Sequence, residues 1–185
     1  PLIEMPNILD IIKNKTLEGV VTGYYESIPK LTFAKARISF FDSVGPRDTQ
    51  FWHSDPGSYR VLKALIYLND VDEKGGPFEI ISGSHFKKFQ DWDKITRHSD
   101  ENLKKIYSTN NFKKITASLG DVIFADATAF HKGNVPIDRN RKIVILNFCL
   151  HDEYGLPYEK VKINKTDLMK SKDITKCMLE NLEII

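Results

Sequence analysis

Three residues of this sequence have types and a spacing that suit metal binding: His53, Asp55 and, much further along the chain, His131. In an extended strand the side chains at positions i and i+2 point to the same face, so His53 and Asp55 would lie side by side. A histidine from a distant strand can complete the ligand set. Two neutral imidazoles and one carboxylate on one face of an octahedral ion are typical of non-heme Fe(II) oxygenases. The pattern therefore predicts a mononuclear metal site.

The chain contains a second histidine and aspartate at the same spacing, His98-Ser99-Asp100. This sequence lies in the polar segment 96–105, which has no strand pattern, so nothing would hold its side chains on one rigid face. The first pair instead follows the apolar residues Phe51-Trp52 and meets a Pro-Gly turn, as at the end of a strand. We therefore expect His53 and Asp55 to be the ligands.

Two other histidines have structural alternatives. A single histidine that follows an apolar residue, as His131 follows Phe130, is more often a buried, hydrogen-bonded ring than a ligand, and this alternative stays open. His85, in Gly83-Ser84-His85, is expected to fix a loop by hydrogen bonding rather than to bind a metal.

An arginine that follows His131 by ten residues could anchor an anion. Arg141 begins an apolar run that ends at Leu150, and hairpin-related strands would bring its guanidinium into the same cavity. The planar guanidinium with its fixed donors suits the far end of a dicarboxylate. Arg139 shares the strand parity and is the rival candidate. Arg141 is preferred because it directly abuts the strand.

Short extended runs separated by turn residues must position these side chains. Eight candidate strands follow Pro29, at residues 31–41, 50–53, 61–68, 78–81, 113–118, 121–125, 130–134 and 142–151. Sequences such as Asp55-Pro56-Gly57 and Gly75-Gly76-Pro77 mark turns between them. Because no helices alternate with the strands, the pattern favours a mainly β, antiparallel double-sheet sandwich or jelly roll over a βαβ fold.

Helical patterns flank and interrupt these strands. Isoleucines at helical spacing predict a short amphipathic helix over residues 7–15. An inserted segment, 86–118, carries eight Lys or Arg against four acidic residues. It is either a solvated insertion or a basic lid over an anionic substrate. Residues 152–185, and within them 166–185, are expected to form a C-terminal helix or tail.

Composition limits the class of protein. A chain of 185 residues is expected to form a single domain. The 27 Lys and Arg against 25 Asp and Glu leave a net charge of +2, which gives no reason to expect nucleic acid or a membrane as partner. Two cysteines, Cys149 and Cys177, cannot build a disulfide framework, so a reducing cytoplasm is the expected location. A small-molecule partner, in keeping with the predicted metal site, is expected.

The order of motifs along residues 31–151 resembles that of a known enzyme family. These motifs are Phe51-Trp52-His53-Ser54-Asp55, Tyr67-Leu68-Asn69-Asp70, the run from Gly75 to His85, Gly120-Asp121, His131 and Arg141. Together they resemble the phytanoyl-CoA dioxygenase family of Fe(II)/2-oxoglutarate oxygenases. Ser82 is a departure, since the family usually has proline before Gly-Ser-His, and it affects a turn rather than the chemistry.

The resemblance implies a fold, a reaction and roles for several residues. The fold is a double-stranded β-helix, a cupin-like jelly roll. His53, Asp55 and His131 would bind Fe(II), and Arg141 would bind the C5 carboxylate of the cosubstrate 2-oxoglutarate. Reaction with O2 would hydroxylate a small molecule and release succinate and CO2. The carboxylate of Asp55 favours hydroxylation, because related halogenases have a small residue at this position.

The same resemblance suggests roles for Leu65 and Tyr67, and strand parity alone singles out Lys35 and Arg37. Family members commonly support 2-oxoglutarate from the strand that follows the first ligand pair, where this chain has Leu65 and Tyr67. The Tyr67 hydroxyl could reach the cosubstrate, and a plain core role is the alternative. Lys35 and Arg37 share one face of the first strand and either line the cavity, meeting an anionic ligand, or face solvent.

Two other functions stay open from the residues. One is a non-redox, cupin-like metalloenzyme that uses the same three ligands with a different divalent ion. The other is a jelly-roll module that binds a small acid or sugar, with the two histidines and the aspartate as ordinary polar residues. Metal content separates the binding module from both the non-redox metalloenzyme and the oxygenase.

Overall fold

The extended runs of the sequence form two antiparallel sheets and one separate parallel strand pair. The computed structural model describes residues 8–41, 44–56, 58–86, 96–150, 161–163 and 182–184. Its strands are β1 Lys30–Ser39, β2 Leu62–Tyr67, β3 Phe78–Ile81, β4 Phe112–Ile115, β5 Val122–Asp126, β6 His131–Gly133, β7 Arg141–Cys149, β8 Val161–Ile163 and β9 Leu182–Ile184. One sheet has the order β1-β7-β2-β5 and the other β4-β3-β6, while β8 and β9 form the parallel pair.

Helices are short and few in the described parts of the chain. They are α1 Ile8–Ile12, α2 Lys15–Tyr25 and α3 Asp100–Lys104, with 3₁₀ turns at Asp48–Gln50, Ser84–Phe86 and Thr109–Asn111. None of the helices within the described ranges is both long and apolar enough to cross a membrane.

The predicted mainly β, jelly-roll fold class is confirmed, and seven of the eight predicted strands are present with small shifts at their ends. The prediction at 50–53 was wrong as a regular strand. A 3₁₀ turn occupies Asp48–Gln50, and Trp52 and His53 form isolated bridges to two different partners, His98 and His131. Because these neighbouring residues pair with two different segments of the chain, no continuous ladder of hydrogen bonds forms there.

The N-terminal helical prediction is confirmed in part of its range, and a second helix follows it. Residues 8–12 form α1, within the predicted 7–15, whereas α2 was not predicted. Its sequence contains two glycines and β-branched residues, which are weak helix formers. The Asn14 side chain caps α2 by accepting hydrogen bonds from two backbone amides of the first turn. Packing against the sheet, rather than local propensity, stabilises this helix.

The remaining helical predictions fall partly outside the described residues. In the inserted segment 86–118, α3 and the 3₁₀ turn at Thr109–Asn111 are present, and residues 87–95 lie outside the described ranges. In the C-terminal region only 161–163 and 182–184 are described, and they form strands β8 and β9 where a helix or tail was predicted. The rest of 152–185 lies outside the described residues.

The four-stranded sheet is covered on both faces. Its outer face packs against α1 and α2 in one apolar cluster, made up of Ile12, Leu17, Val21, Tyr25, Leu31, Leu62, Ala64, Ile66, Val144, Leu146 and Phe148. Its inner face carries Leu65, Tyr67 and Ile143, which pack with Phe78 of the second sheet. Burial on both faces explains why β2 and β7 have nearly continuous apolar sequences instead of an alternating pattern.

The Tyr25 hydroxyl connects α2 to two strands of this sheet. It donates a hydrogen bond to the Phe148 carbonyl over 2.5 Å and accepts one from the Leu62 amide over 3.0 Å. Tyr25→Phe removes the partner of both buried backbone groups, so we expect the free energy of unfolding to fall by about 1–3 kcal/mol. Urea denaturation measures this change. Tyr59→Phe, at a side chain that is 80% exposed, is the control, and equal stability of the two variants would contradict the prediction.

Candidate functional site

A backbone bridge between two strand ends brings the predicted ligands together. The His53 amide donates to the His131 carbonyl over 3.0 Å, and the His131 amide donates to the His53 carbonyl over 2.9 Å. The two imidazole rings consequently lie 4.3 Å apart between centroids. The Asp55 amide donates to the Ala127 carbonyl over 2.9 Å, which fixes the backbone of the third residue.

His53, Asp55 and His131 form a cluster of the size that one metal ion needs. One ligand atom from each residue lies within 4.8 Å of the other two, and within the described ranges this is the one such cluster of histidine, cysteine and acidic side chains. The His53 Nε2 atom lies 3.7 Å from the Asp55 Oδ1 atom. The structure therefore gathers the three residues that the sequence pattern selected.

Backbone carbonyls set the tautomer of both imidazoles. The Nδ1 atom of His53 lies 2.8 Å from the Phe51 carbonyl oxygen, and that of His131 lies 2.9 Å from the Ala129 carbonyl oxygen. A carbonyl only accepts, so each Nδ1 carries the proton and each Nε2 keeps a free lone pair. The buried His53 Nε2 has no hydrogen-bond partner among the described residues. This is the arrangement of a histidine prepared to bind a metal.

Burial and charge set the protonation states of the cluster. Burial lowers the pKa of His53, and it lowers the pKa of His131 to about 3, so both rings are neutral at neutral pH. Burial alone would raise the pKa of Asp55. The Lys63 ammonium and the two histidines outweigh that effect and lower the pKa of Asp55 to about 2. The cluster thus consists of two neutral nitrogen donors and one carboxylate.

Lys63 is a site residue that the sequence reasoning missed. It lies on β2, its side chain is 13% exposed, and its Nζ contacts the Asp55 Oδ2 atom. The other carboxylate oxygen, Oδ1, is the one that faces His53. The alternation of side chains along β2 could have identified Lys63 from the sequence, because Lys63 shares a strand face with Leu65 and Tyr67.

A cavity of about 290 Å³ opens beside the cluster, between the inner faces of the two sheets. Leu65 and Tyr67 line it, as do the partly buried Arg37 and the exposed Lys35, whose placement the sequence left open. The residues lining the cavity are Phe33, Lys35, Arg37, Asp48, Thr49, His53, Asp55, Pro56, Lys63, Leu65, Tyr67, Phe78, Arg97, His131, Gly133, Arg141, Ile143 and Ile145. The metal-binding cluster and the predicted anion anchor, Arg141, therefore share one cavity.

Tyr67 is both a core residue and a cavity residue. Its side chain is almost fully buried and belongs to the apolar cluster between the sheets. Burial raises the pKa of its hydroxyl, while the nearby Arg141 charge and a hydrogen bond with the Phe78 backbone amide oppose that rise. The hydroxyl stays protonated at neutral pH. Contact with a cosubstrate stays a prediction for Tyr67 and Leu65.

Of the two candidate arginines, Arg141 lies in the cavity and Arg139 lies on the surface. The Arg141 guanidinium is buried and donates to the Gly76 carbonyl and, over 3.0 Å, to the Ser39 hydroxyl. Its Nε atom has no hydrogen-bond partner among the described residues. Burial lowers the pKa of Arg141, yet a guanidinium remains charged in proteins. Arg139 instead pairs with the exposed Asp72 and Asp138.

The second His-x-Asp sequence has a structural role. Ser99 caps α3, and the Asp100 carboxylate accepts hydrogen bonds from the Trp52 indole and from Lys132, each over 2.7 Å. The His98 ring lies edge-on to Phe130, outside the metal-binding cluster. His85 likewise stands apart, with its ring 3.9 Å from that of Phe86.

Comparison with known sequences identifies the family. A sequence profile described as phytanoyl-CoA dioxygenase (PhyH) matches residues 43–135, which is just over half of the chain. The chain belongs to the phytanoyl-CoA dioxygenase family. The matched range contains His53, Asp55 and His131 and ends before Arg141. The resemblance read from the motifs is therefore confirmed for the family. No curated protein sequence is similar enough to the chain to count as a match.

Several solved structures share the fold at low sequence identity. HygX from Streptomyces hygroscopicus, with nickel, 2-oxoglutarate and hygromycin B bound, is 14% identical, with a TM-score of 0.58 and coverage of 86% of this chain and 69% of HygX. SnoK, a non-heme alpha ketoglutarate dependent carbocyclase from nogalamycin biosynthesis, is 16% identical, with a TM-score of 0.60 and coverage of 77% and 58%. The epimerase SnoN, in complex with Fe3+, alpha ketoglutarate and nogalamycin RO, is 15% identical, with a TM-score of 0.59 and coverage of 82% and 66%. At such identities the likeness concerns the fold.

A glycine next to the anion anchor leaves the space that Arg141 occupies. A Cβ atom at Gly133 would lie 2.5 Å from the Arg141 Nη2 atom. We expect Gly133→Ala to displace the guanidinium from its hydrogen bonds and to lower the free energy of unfolding by about 1–3 kcal/mol, as measured by chemical denaturation. Gly23→Ala is the control, because nothing lies within 4 Å of a Cβ there and alanine favours a helix. Equal or greater stability of Gly133→Ala would refute the steric role.

Proposed function

We propose that this protein is an Fe(II)- and 2-oxoglutarate-dependent oxygenase that hydroxylates a small molecule and releases succinate and CO2. One observation carries the proposal: two neutral imidazoles and one carboxylate converge in the same cavity as a buried arginine. Membership of the phytanoyl-CoA dioxygenase family supports this interpretation of the cavity. The cluster of three ligands alone is compatible with many classes of metalloenzyme. The buried arginine favours those classes that bind a dicarboxylate cosubstrate.

The residues present fit a divalent transition metal. Both Nε2 lone pairs face the cluster because both Nδ1 protons point to backbone carbonyls, and the buried His53 Nε2 has no other partner among the described residues. His53, His131 and Asp55 would hold iron on one face, which leaves the opposite face for other ligands. When bound, iron would activate O2, with 2-oxoglutarate as the two-electron donor that becomes succinate and CO2, so that one oxygen atom enters a C–H bond of the substrate.

Arg141 fits the distal carboxylate of a dicarboxylic cosubstrate. Its charge is buried in the described part of the chain without a carboxylate partner, and Ser39 and Gly76 hold the guanidinium in place. Such a buried charge is stabilised when a carboxylate binds to it. Leu65, Tyr67 and Ile143 would enclose the carbon chain between the two ends. The presence of nickel and 2-oxoglutarate in HygX, which has a similar fold, supports the same pair here.

Lys63 would orient the metal-binding carboxylate. By contacting Oδ2 of Asp55 it holds the carboxylate so that Oδ1 is directed to the histidines. A carboxylate restrained in this way would present one oxygen to a bound ion.

Hydroxylation is the outcome that we propose among those known for similar folds. Asp55 supplies the carboxylate ligand, which argues against a halogenase-like site. SnoK is a carbocyclase and SnoN an epimerase, so product analysis by mass spectrometry is the deciding measurement. A product heavier by one oxygen atom supports hydroxylation, and a product of unchanged mass contradicts it.

The location in a reducing cytoplasm stays a prediction that rests on cysteine usage.

The ligand assignment predicts the loss of metal and activity together. His53→Ala, Asp55→Ala and His131→Ala should each abolish stoichiometric metal binding and reduce substrate-dependent succinate formation to background, because two ligands bind the ion too weakly. Metal analysis of protein purified without chelator and a succinate assay measure these effects. His85→Ala is the control and should keep both. Wild-type rates in any of the three ligand variants would contradict the assignment.

Metal content and 2-oxoglutarate binding, measured together, separate the alternative functions. A binding module would contain no stoichiometric transition metal. A non-redox metalloenzyme would bind a divalent ion but would not bind 2-oxoglutarate in an Arg141-dependent way.

The proposed anchor predicts a selective effect on the cosubstrate. Arg141→Ala should raise the KM for 2-oxoglutarate by about ten- to a hundredfold, because charge-assisted hydrogen bonds to the distal carboxylate are lost. Metal affinity, measured by calorimetry, should change little. Arg139→Ala, at the exposed rival position, is the matched control. An equal fall in metal affinity and in 2-oxoglutarate affinity would indicate misfolding and refute the anchor role.

A further inference from the structure

One wall of the cavity carries positive charge that iron and 2-oxoglutarate would not use. We propose that the substrate of this site is a small amphipathic anion, with a carboxylate or phosphate group bound by Lys35 and Arg37 of β1 and by Arg97. This inference rests on the proposed function, because it names the substrate class of the same cavity. We refer to these three residues as the cationic wall.

Strand register separates the cationic wall from the proposed cosubstrate anchor. On β1, Ser39 is opposite Arg141, Arg37 is opposite Ile143, and Lys35 is opposite Ile145. Ser39 supports Arg141 through a hydrogen bond, so that pair marks the position of the cosubstrate anchor on this sheet. Successive inward-facing residues on a strand lie about 7 Å apart. The backbone positions of Lys35 and Arg37 are therefore offset along the cavity from that of Arg141, and the Arg37 charge still lies near enough to help lower the pKa of Arg141.

The charges of the cavity are unbalanced without a ligand. Five cationic side chains line it against two carboxylates, Asp48 and Asp55. Lys63 pairs with Asp55, and Arg97 pairs with Asp48 over 2.6 Å. Apart from Arg141, this leaves Lys35 and Arg37.

Neither Lys35 nor Arg37 makes an ion pair with a residue in the described ranges. Arg37 donates to the Thr49 hydroxyl over 2.5 Å, and the Lys35 Nζ lies 5.0 Å from the centre of the Phe33 ring. Lys35 therefore keeps a positive charge that a bound anion would neutralise, and Arg37 shares the single Asp48 carboxylate with Arg97, so this group of three cations still has an excess of positive charge. Like charges that converge in a partly enclosed cavity raise its positive potential and attract anions.

The same wall carries apolar surface next to the charges. Phe33 precedes Lys35 on the inward face of β1, and Ile145 and Leu65 follow across the sheet in register with Lys35. A ligand that fits this surface has an apolar part beside its anionic group. At about 290 Å³, the cavity would have to hold 2-oxoglutarate as well, so the substrate is small or extends out of the mouth.

Arg97 relates the cationic wall to the basic inserted segment. It is the described residue of segment 86–118 that lines the cavity, and its pairing with Asp48 orients it there. The sequence left open whether this segment is a lid or a solvated insertion. The placement of Arg97 supports participation of this part of the segment in anion binding.

The test compares ligands of equal shape and different charge. Straight-chain carboxylates of short to medium length are matched with their primary amides, and the corresponding alkyl phosphates with their alcohols. Binding is measured by calorimetry on the full chain, both metal-free and loaded with Zn(II) and 2-oxoglutarate. We expect anionic members to bind at least about tenfold more tightly than their neutral partners, and the two anion series show whether carboxylate or phosphate is preferred.

Variants assign the preference to the cationic wall. Arg37→Gln and Lys35→Gln should each reduce the anion preference by about fivefold or more, while the Kd for 2-oxoglutarate stays within about twofold of wild type. Lys142→Gln, an exposed lysine adjacent to Arg141 in sequence, is the matched control and should leave both unchanged. Circular dichroism and thermal unfolding verify that the variants are folded.

Three results would overturn the proposal. Equal binding of the neutral members would do so, as would the absence of binding for every anion tested. A rise in the Kd for 2-oxoglutarate with unchanged anion preference would make Arg37 or Lys35 a second cosubstrate anchor instead. Failure of the proposed function is a distinct result, in which metal and 2-oxoglutarate do not bind. In that case the measurement on metal-free protein still shows whether anions bind to the cationic wall.

Discussion

One pair of backbone hydrogen bonds brings together the two histidines of the candidate metal site. His53 and His131 exchange amide-to-carbonyl bonds as opposed residues of an antiparallel bridge, and side chains at such positions project to the same side. Both imidazoles therefore enter one cavity. Asp55 lies two residues beyond this bridge, outside any regular strand, and its amide is fixed by a hydrogen bond to the Ala127 carbonyl. Because backbone pairing sets these directions, the cluster depends on the strands keeping their register, and the two sheets act as the frame that maintains it.

The four-stranded sheet is stiff because it is buried on both faces. Helices α1 and α2 cover the outer face, and the second sheet packs against the inner one. This double burial places Leu65, Tyr67 and Ile143 in the cavity wall as parts of the core. Closely packed side chains have little freedom to move, so a cavity built from them has a well-defined shape. Gly133 shows how tight this packing is, since even a methyl group there would collide with Arg141.

Burial and nearby charge give the histidines and the aspartate of the site different protonation behaviour. The histidines are neutral because burial lowers the pKa of each ring, so their nitrogens are available as ligands. Asp55 stays ionised because Lys63 outweighs the effect of burial on its pKa. The remaining lysine and arginines leave the cavity positive, which suits anions. The same enclosed space can thus favour a metal ion at one point and negatively charged ligands along its walls.

The sequence by itself determined the seven strands of the two sheets and the turns between them, because these follow from local periodicity and turn residues. That was enough to select His53 and Asp55 over the second His-x-Asp sequence and Arg141 over Arg139. Only the tertiary structure decided which faces meet. The helix α2, the pairing of Lys63 with Asp55, the space left by Gly133 and the place of Arg97 all depend on contacts between distant segments. Such contacts join segments that are far apart in the chain, and local periodicity does not specify which segments meet.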